Sequence, residues 1–145
     1  MLAFVAAAAS GFLAKNADEA KRHWALASAV ASGLLMAYAV SLHALVAVVF
    51  VPAVLANLFA GKIDTKAHAL GVVAFALSAF YFKVPAFAPG FALLALLAAL
   101  ADETVAHDWF YPRPFLPLAA LIMSFALSSF TPFLAVLAFD AGYLV

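Results

Sequence analysis

The sequence predicts an all-α polytopic integral membrane protein. It reads as a compact bundle of about seven short transmembrane helices, with six as the alternative count and the charged loops on one face. Three observations predict this. First, of 145 residues, 70% are hydrophobic and 10% charged, with a mean hydropathy of +1.17. A soluble domain carries about 25% charged residues, and a chain this short has too little interior to hide the surplus. Second, the apolar residues fall in runs of spanning or near-spanning length, a pass needing about 20 residues. Third, twelve of the fourteen Asp, Glu, Lys and Arg residues fall in three connectors that alternate with nearly uncharged ones.

The runs follow in order. Met1–Ala14 is apolar and short. It imitates a secretory signal but lacks the basic leading region of one, so it is read as the first helix. Trp24–Ala60 is almost unbroken. As one helix it would be about 55 Å long, against a hydrocarbon core of ~30 Å, so it is cut at Ser41-Leu42-His43 into two passes. Ala67–Phe82 is the fourth, ending at Lys83 and Pro85. Pro85 and Pro89 bracket a tight loop before a short fifth pass over Phe91–Ala101. Phe115–Phe130 is the sixth, introduced by Pro112 and Pro114, and Thr131-Pro132 separates it from Phe133–Val145. The whole chain, 1–145, is one helical domain.

With seven passes, Lys15–His23, Gly61–Lys66 and Asp102–Arg113 share a side, and six of the seven Lys and Arg residues lie there. The positive-inside rule makes that side cytoplasmic and puts the amino terminus outside. The expected location is the cell membrane. Trp24, Trp109, Phe110 and Tyr111 flank these connectors, where amphipathic rings favour the headgroup zone. The phrase Ala17-Asp18-Glu19-x3-His23-Trp24 is echoed by Ala101-Asp102-Glu103-x3-His107 with Trp109 nearby. That suggests a weak internal repeat, 1–42 against 86–130, of the parallel kind that sets matched segments on one side.

Each charged connector carries an Asp four or five residues before a His. Asp64 and His68 have the i, i+4 spacing that makes neighbours on a helix; Asp18 with His23 and Asp102 with His107 fit less well. Carboxylates and imidazoles together suit a divalent metal, magnesium or manganese ahead of zinc in so acidic a set. Asp18, Asp64, His68, Asp102 and Glu103 are the candidate ligands. Lys15, Asn57, Lys62 and Arg113 are the candidate substrate-binding residues, Arg through its bidentate fork. His23, His107 and Asp108 are the candidate acid–base groups. The alternative for Asp18 and Asp102 is capping of the following helix, where a carboxylate meets unpaired N–H groups. Asp140 lies inside the last apolar run, where an ionisable group is costly, and Lys15 or Lys62 is its expected partner. Gly33 and Gly71 allow close helix contact.

Cysteine is absent and the net charge is zero. The first excludes thiol chemistry and disulfides; the second leaves no basic field for nucleic acid. No nucleophile elbow, zinc-protease or phosphate-loop motif is present. The function expected is a metal-dependent lipid phosphotransferase or hydrolase, acting on a lipid or prenyl substrate with a phosphorylated head. A transporter or channel for a small solute or ion, and a non-catalytic membrane subunit or scaffold, are the alternatives. The partners expected are membrane lipid and either a second copy of the chain or a membrane subunit.

Overall fold

A computed structural model describes residues 1–105 and 114–145, the side chain of Arg22 excepted. It is all-α, with seven helices among the described residues: α1 (Leu2–Glu19), α2 (Arg22–Leu42), α3 (Ala44–Phe59), α4 (Lys66–Phe82), α5 (Pro89–Thr104), α6 (Phe115–Ala126) and α7 (Thr131–Leu144). One stretch, His23–Leu42, is long and apolar enough by itself to cross a membrane. α3, α4, α6 and α7 are apolar and shorter.

The long run is divided by a single residue. His43 is extended (φ −158°, ψ 124°) and serves as both the C-cap of α2 and the N-cap of α3. Its Nδ1 accepts from the Leu45 N–H at 3.1 Å, satisfying one of the orphan donors of a helix start. α3 ends on Gly61, which is left-handed (φ 69°), with the Lys62 N–H returning 3.0 Å to the Asn57 carbonyl. This is a Schellman turn, and it sends Lys62 and Asp64 back over the bundle end. Thr65 then caps α4, its hydroxyl accepting from the His68 N–H at 3.1 Å.

Several helix boundaries differ from the sequence reading. α1 runs five residues beyond Ala14, to Glu19, and α5 runs from Pro89 to Thr104 instead of over Phe91–Ala101. Helix propensity, not hydrophobicity, decides where a helix stops, and Lys, Ala and Glu continue one readily. Asp18, Glu19, Asp102 and Glu103 therefore sit in last helical turns and not in loops. α6 stops at Ala126, short of Phe130. Ser128 is left-handed there (φ 50°), and α7 already begins at Thr131 with proline in its first turn, where a missing N–H costs nothing.

The core surrounds α3, whose Val46, Val49, Phe50 and Ala56 are buried with Met36, Val40, Met123 and Val136 from neighbouring helices. Two seams are glycine-lined. A Cβ on Gly33 of α2 would strike the Gly71 carbonyl of α4. On Gly11 of α1 it would strike the Phe139 carbonyl of α7, and on Gly142 of α7 the Ala8 carbonyl of α1. Successive helices alternate in direction. The ends of α1, α3, α5 and α7 and the starts of α2, α4 and α6 therefore meet at one polar end. The outward surface is apolar, with Leu77, Phe80, Tyr81, Leu93 and Phe125 exposed.

Candidate functional site

At the polar end, acidic residues occupy two helix C-termini: Asp18 and Glu19 on α1, Asp102 and Glu103 on α5. Negative charge is unfavourable there, because the carbonyl end of the helix dipole is itself negative. Each acid has a compensating partner. Glu19 stands 4.0 Å from Lys15 one turn back. Glu103 stands 3.8 Å from Lys62 of the α3–α4 connector. Asp102 is buried, and its two oxygens accept the N–H groups of Phe115 and Leu116, each at 2.8 Å. It thus caps α6 from another helix.

Asp18 is compensated by two donors. Tyr143 of α7 donates its hydroxyl to Asp18 Oδ2 at 2.7 Å, and His68 Nε2 lies 2.7 Å from Asp18 Oδ1. The opposite ring nitrogen, His68 Nδ1, lies 3.0 Å from Asp64 Oδ1 and 3.1 Å from the Lys62 carbonyl. All three partners of the ring are acceptors. A hydrogen on both nitrogens would satisfy all three, making His68 an imidazolium between two carboxylates. Asp64 is the more exposed of the two, at 70% for its side chain against 35% for Asp18.

This cluster stands at the mouth of a cavity of about 360 Å³, within the range of small-molecule sites. Asp18, Lys62, Asp64, His68 and Glu103 line its polar part; Met36, Phe50, Val54, Phe75, Val136 and Phe139 line its apolar part. Ser10 and Ser32 also line it, and their hydroxyls lie 3.0 Å apart. Ser10 Oγ donates to the Ser32 carbonyl at 3.0 Å and Ser32 Oγ to the Ser10 carbonyl at 2.9 Å. Asp140 is buried and lines the same cavity.

The expected residues divide as follows. Asp18, Asn57, Lys62, Asp64, His68, Glu103 and Asp140 share the cavity. Asn57 donates within its own helix, to the Ala53 carbonyl at 3.2 Å. Lys15, His23 and Asp102 do not line it. His23 is exposed in the first turn of α2, on a different helix from Asp18, whose carboxylate turns to His68 instead. Lys62, expected beside Asp140, has its ammonium 3.8 Å from Glu103. His107, Asp108 and Arg113 lie outside the described residues. Among the described residues no group of three His, Asp or Glu side chains is placed to hold a metal ion. The nearest arrangement fails for a plain reason: Asp18 and Asp64 bracket His68 from opposite ring edges and do not converge on one point.

Tyr143, Ser10 and Ser32 are cavity residues that the sequence reading missed. A tyrosine near the end of an apolar run reads as an interfacial aromatic, and serines in alanine-rich helices read as packing. Nothing local marks them. Comparison of the chain with protein-family models, with curated proteins and with solved structures gives no match in any of the three.

Proposed function

We propose that the chain is a multi-pass protein of the cell membrane that binds a single-chain lipid or prenyl amphiphile in this cavity. Its polar end faces the cytoplasm, and His68 and Lys62 act there on a phosphorylated head. Support for the membrane setting comes from the 70% hydrophobic composition, the span-length stretch His23–Leu42 and the apolar outward surface. Six of the seven Lys and Arg residues fall within the three charged connectors of the sequence, which favours a cytoplasmic orientation.

The observation that carries the functional reading is the continuity of one cavity, lined by the His68 imidazole and the Lys62 ammonium at its polar part and by aliphatic and aromatic side chains elsewhere. An amphiphile's tail gains by leaving water, at roughly 25 cal/mol per Å² buried, and its head then lies against His68 and Lys62. Where the head group displaces the exposed Asp64 carboxylate from Nδ1, a His68 protonated on both nitrogens would give that proton to the ester oxygen that leaves as water attacks phosphorus, which is general acid catalysis. Lys62 Nζ offsets charge on a phosphoryl oxygen. Magnesium or manganese would be carried in by the phosphate, with Asp64 or Glu103 offering it a carboxylate oxygen, and would offset charge on the phosphoryl group. A ready-made protein cage is not required.

The test uses the full chain in phosphatidylcholine nanodiscs with dodecyl phosphate and farnesyl phosphate. Native mass spectrometry is expected to find one amphiphile retained per chain. Phosphate release is expected to need magnesium or manganese, to stop with a chelator and to be lost in His68→Ala. The reading fails if neither amphiphile is retained, or if His68→Ala and Lys62→Ala behave as the unaltered chain does. A carrier is the second reading, favoured by Asp140. A buried carboxylate in the last apolar helix, facing a cavity, is what ion-coupled transport would use. Retention of the amphiphile without turnover, with uptake abolished by Asp140→Asn, would favour it.

A further inference from the structure

Tyr143 reaches the polar cluster from the last turn of α7, and its placement is decided by packing rather than by the acid it meets. Its ring stacks on Phe139 (centroids 6.3 Å apart, planes 19° apart) and Phe139 packs on Phe50 at 5.6 Å. The height of α7 against α1 is set by the glycine contacts, Gly142 on Ala8 and Gly11 on Phe139. A ring held this way delivers its hydroxyl to one place.

At that place it donates to Asp18 Oδ2 at 2.7 Å, while Asp18 Oδ1 meets His68 Nε2, also at 2.7 Å. A carboxylate has two equivalent oxygens and a soft terminal torsion, and the Asp18 side chain is 35% exposed. Without the tyrosine hydroxyl it would turn, and either oxygen would exchange between His68 and water.

We propose that Tyr143 is a positioning residue for the polar cluster. It fixes the Asp18 carboxylate so that only Oδ1 faces His68, and thereby fixes the ring edge that His68 turns toward the cavity. This rests on the amphiphile reading above, since a fixed imidazolium matters only if a head group meets it. Oriented groups of this kind gain rate because the geometry is set before reaction. The consequence is specific to Nε2: Asp64 and the Lys62 carbonyl hold Nδ1 without help from Tyr143.

The experiment labels the histidines of the full chain with 15N in phosphatidylcholine nanodiscs and compares it with Tyr143→Phe, which keeps the ring and removes the hydroxyl. Expected results are unchanged helix content by circular dichroism, a shifted His68 Nε2 resonance with faster exchange of its hydrogen with water, and an unmoved Nδ1. In an Asp18→Asn background, Tyr143→Phe should add no further shift, because the tyrosine acts through Asp18. An unmoved Nε2 resonance, or the same shift in both backgrounds, overturns the proposal. So does loss of the fold in Tyr143→Phe, which would make the contact structural. Failure of the amphiphile reading shows separately, as no dodecyl phosphate retained by the unaltered chain.

Discussion

Asp102 and Asp18 occupy the same place in the echoed phrase, and the structure gives them different work. Both oxygens of Asp102 accept backbone N–H groups at the start of α6, whereas both oxygens of Asp18 accept from side chains. Removing the buried Asp102 carboxylate leaves two helix-start donors without an acceptor. Asp102→Ala is therefore expected to destabilise the fold by about 2 kcal/mol, combining loss of an N-cap with unsatisfied buried donors. Asp102→Asn should fall between, since it keeps one accepting oxygen. Equilibrium unfolding in mixed micelles measures both, and an unchanged midpoint for Asp102→Ala would show that the cap carries no stability. The residue scale also shows what sequence reveals. Asp64 and His68 were legible as a pair because a helical turn brings i and i+4 together. The Asp18–His68 contact spans fifty residues and was not legible, because no local periodicity connects α1 to α4.

Helices α1 and α2 pack on thin, glycine-lined seams. Where Gly33 meets Gly71, backbone lies on backbone with no side chain between, so a methyl group there must push two helices apart. Overpacking costs about 1–3 kcal/mol, and here the atom struck is a carbonyl that no rotamer change can move. Gly33→Ala is expected to lie at the upper end of that range and to weaken retention of dodecyl phosphate, since Gly33 and Gly71 both line the cavity. Gly90 is the control. Nothing lies within 4 Å of a Cβ there, so Gly90→Ala should leave the unfolding midpoint unchanged or slightly raised, alanine being the better helix former. Equal destabilisation by the two substitutions would contradict the seam argument. Element number was legible because each apolar run needs its own turn, and His43, Gly61 and the prolines mark the turns. Element ends were less legible: the polar turns Lys15–Glu19 and Asp102–Thr104 continue helices whose apolar stretch has already finished. The Gly33 and Gly71 contacts were anticipated. Gly11 and Gly142 were not, because the α1–α7 seam joins the two ends of the chain.

At the scale of the whole molecule, the architecture follows from counting. The seven helices of the described residues alternate in direction and bring the α1–α2, α3–α4 and α5–α6 connections to one end, and the Asp18–His68 and Lys62–Glu103 contacts tie those connections together. The same alternation carries α7 back to that end, where Tyr143 meets Asp18. In a membrane this arrangement has a consequence that length alone does not. α6, with 12 residues, is about 18 Å long, well short of a ~30 Å hydrocarbon core. Sidedness therefore has to be measured at the connections, not inferred from helix length. The chain contains no cysteine, so single cysteines report cleanly. Lys21, Lys66 and Thr104 are exposed at the polar end, and Lys83 and Ser128 are exposed at the other. With a membrane-impermeant maleimide, Lys83→Cys and Ser128→Cys should label in intact cells. Lys21→Cys, Lys66→Cys and Thr104→Cys should label only once the membrane is opened. Reversal of the whole pattern would invert the orientation and leave the cavity intact. Labelling of Lys66→Cys and Thr104→Cys from opposite sides would separate Lys62 from Glu103 by a bilayer, and a shared site at that end would then be physically excluded.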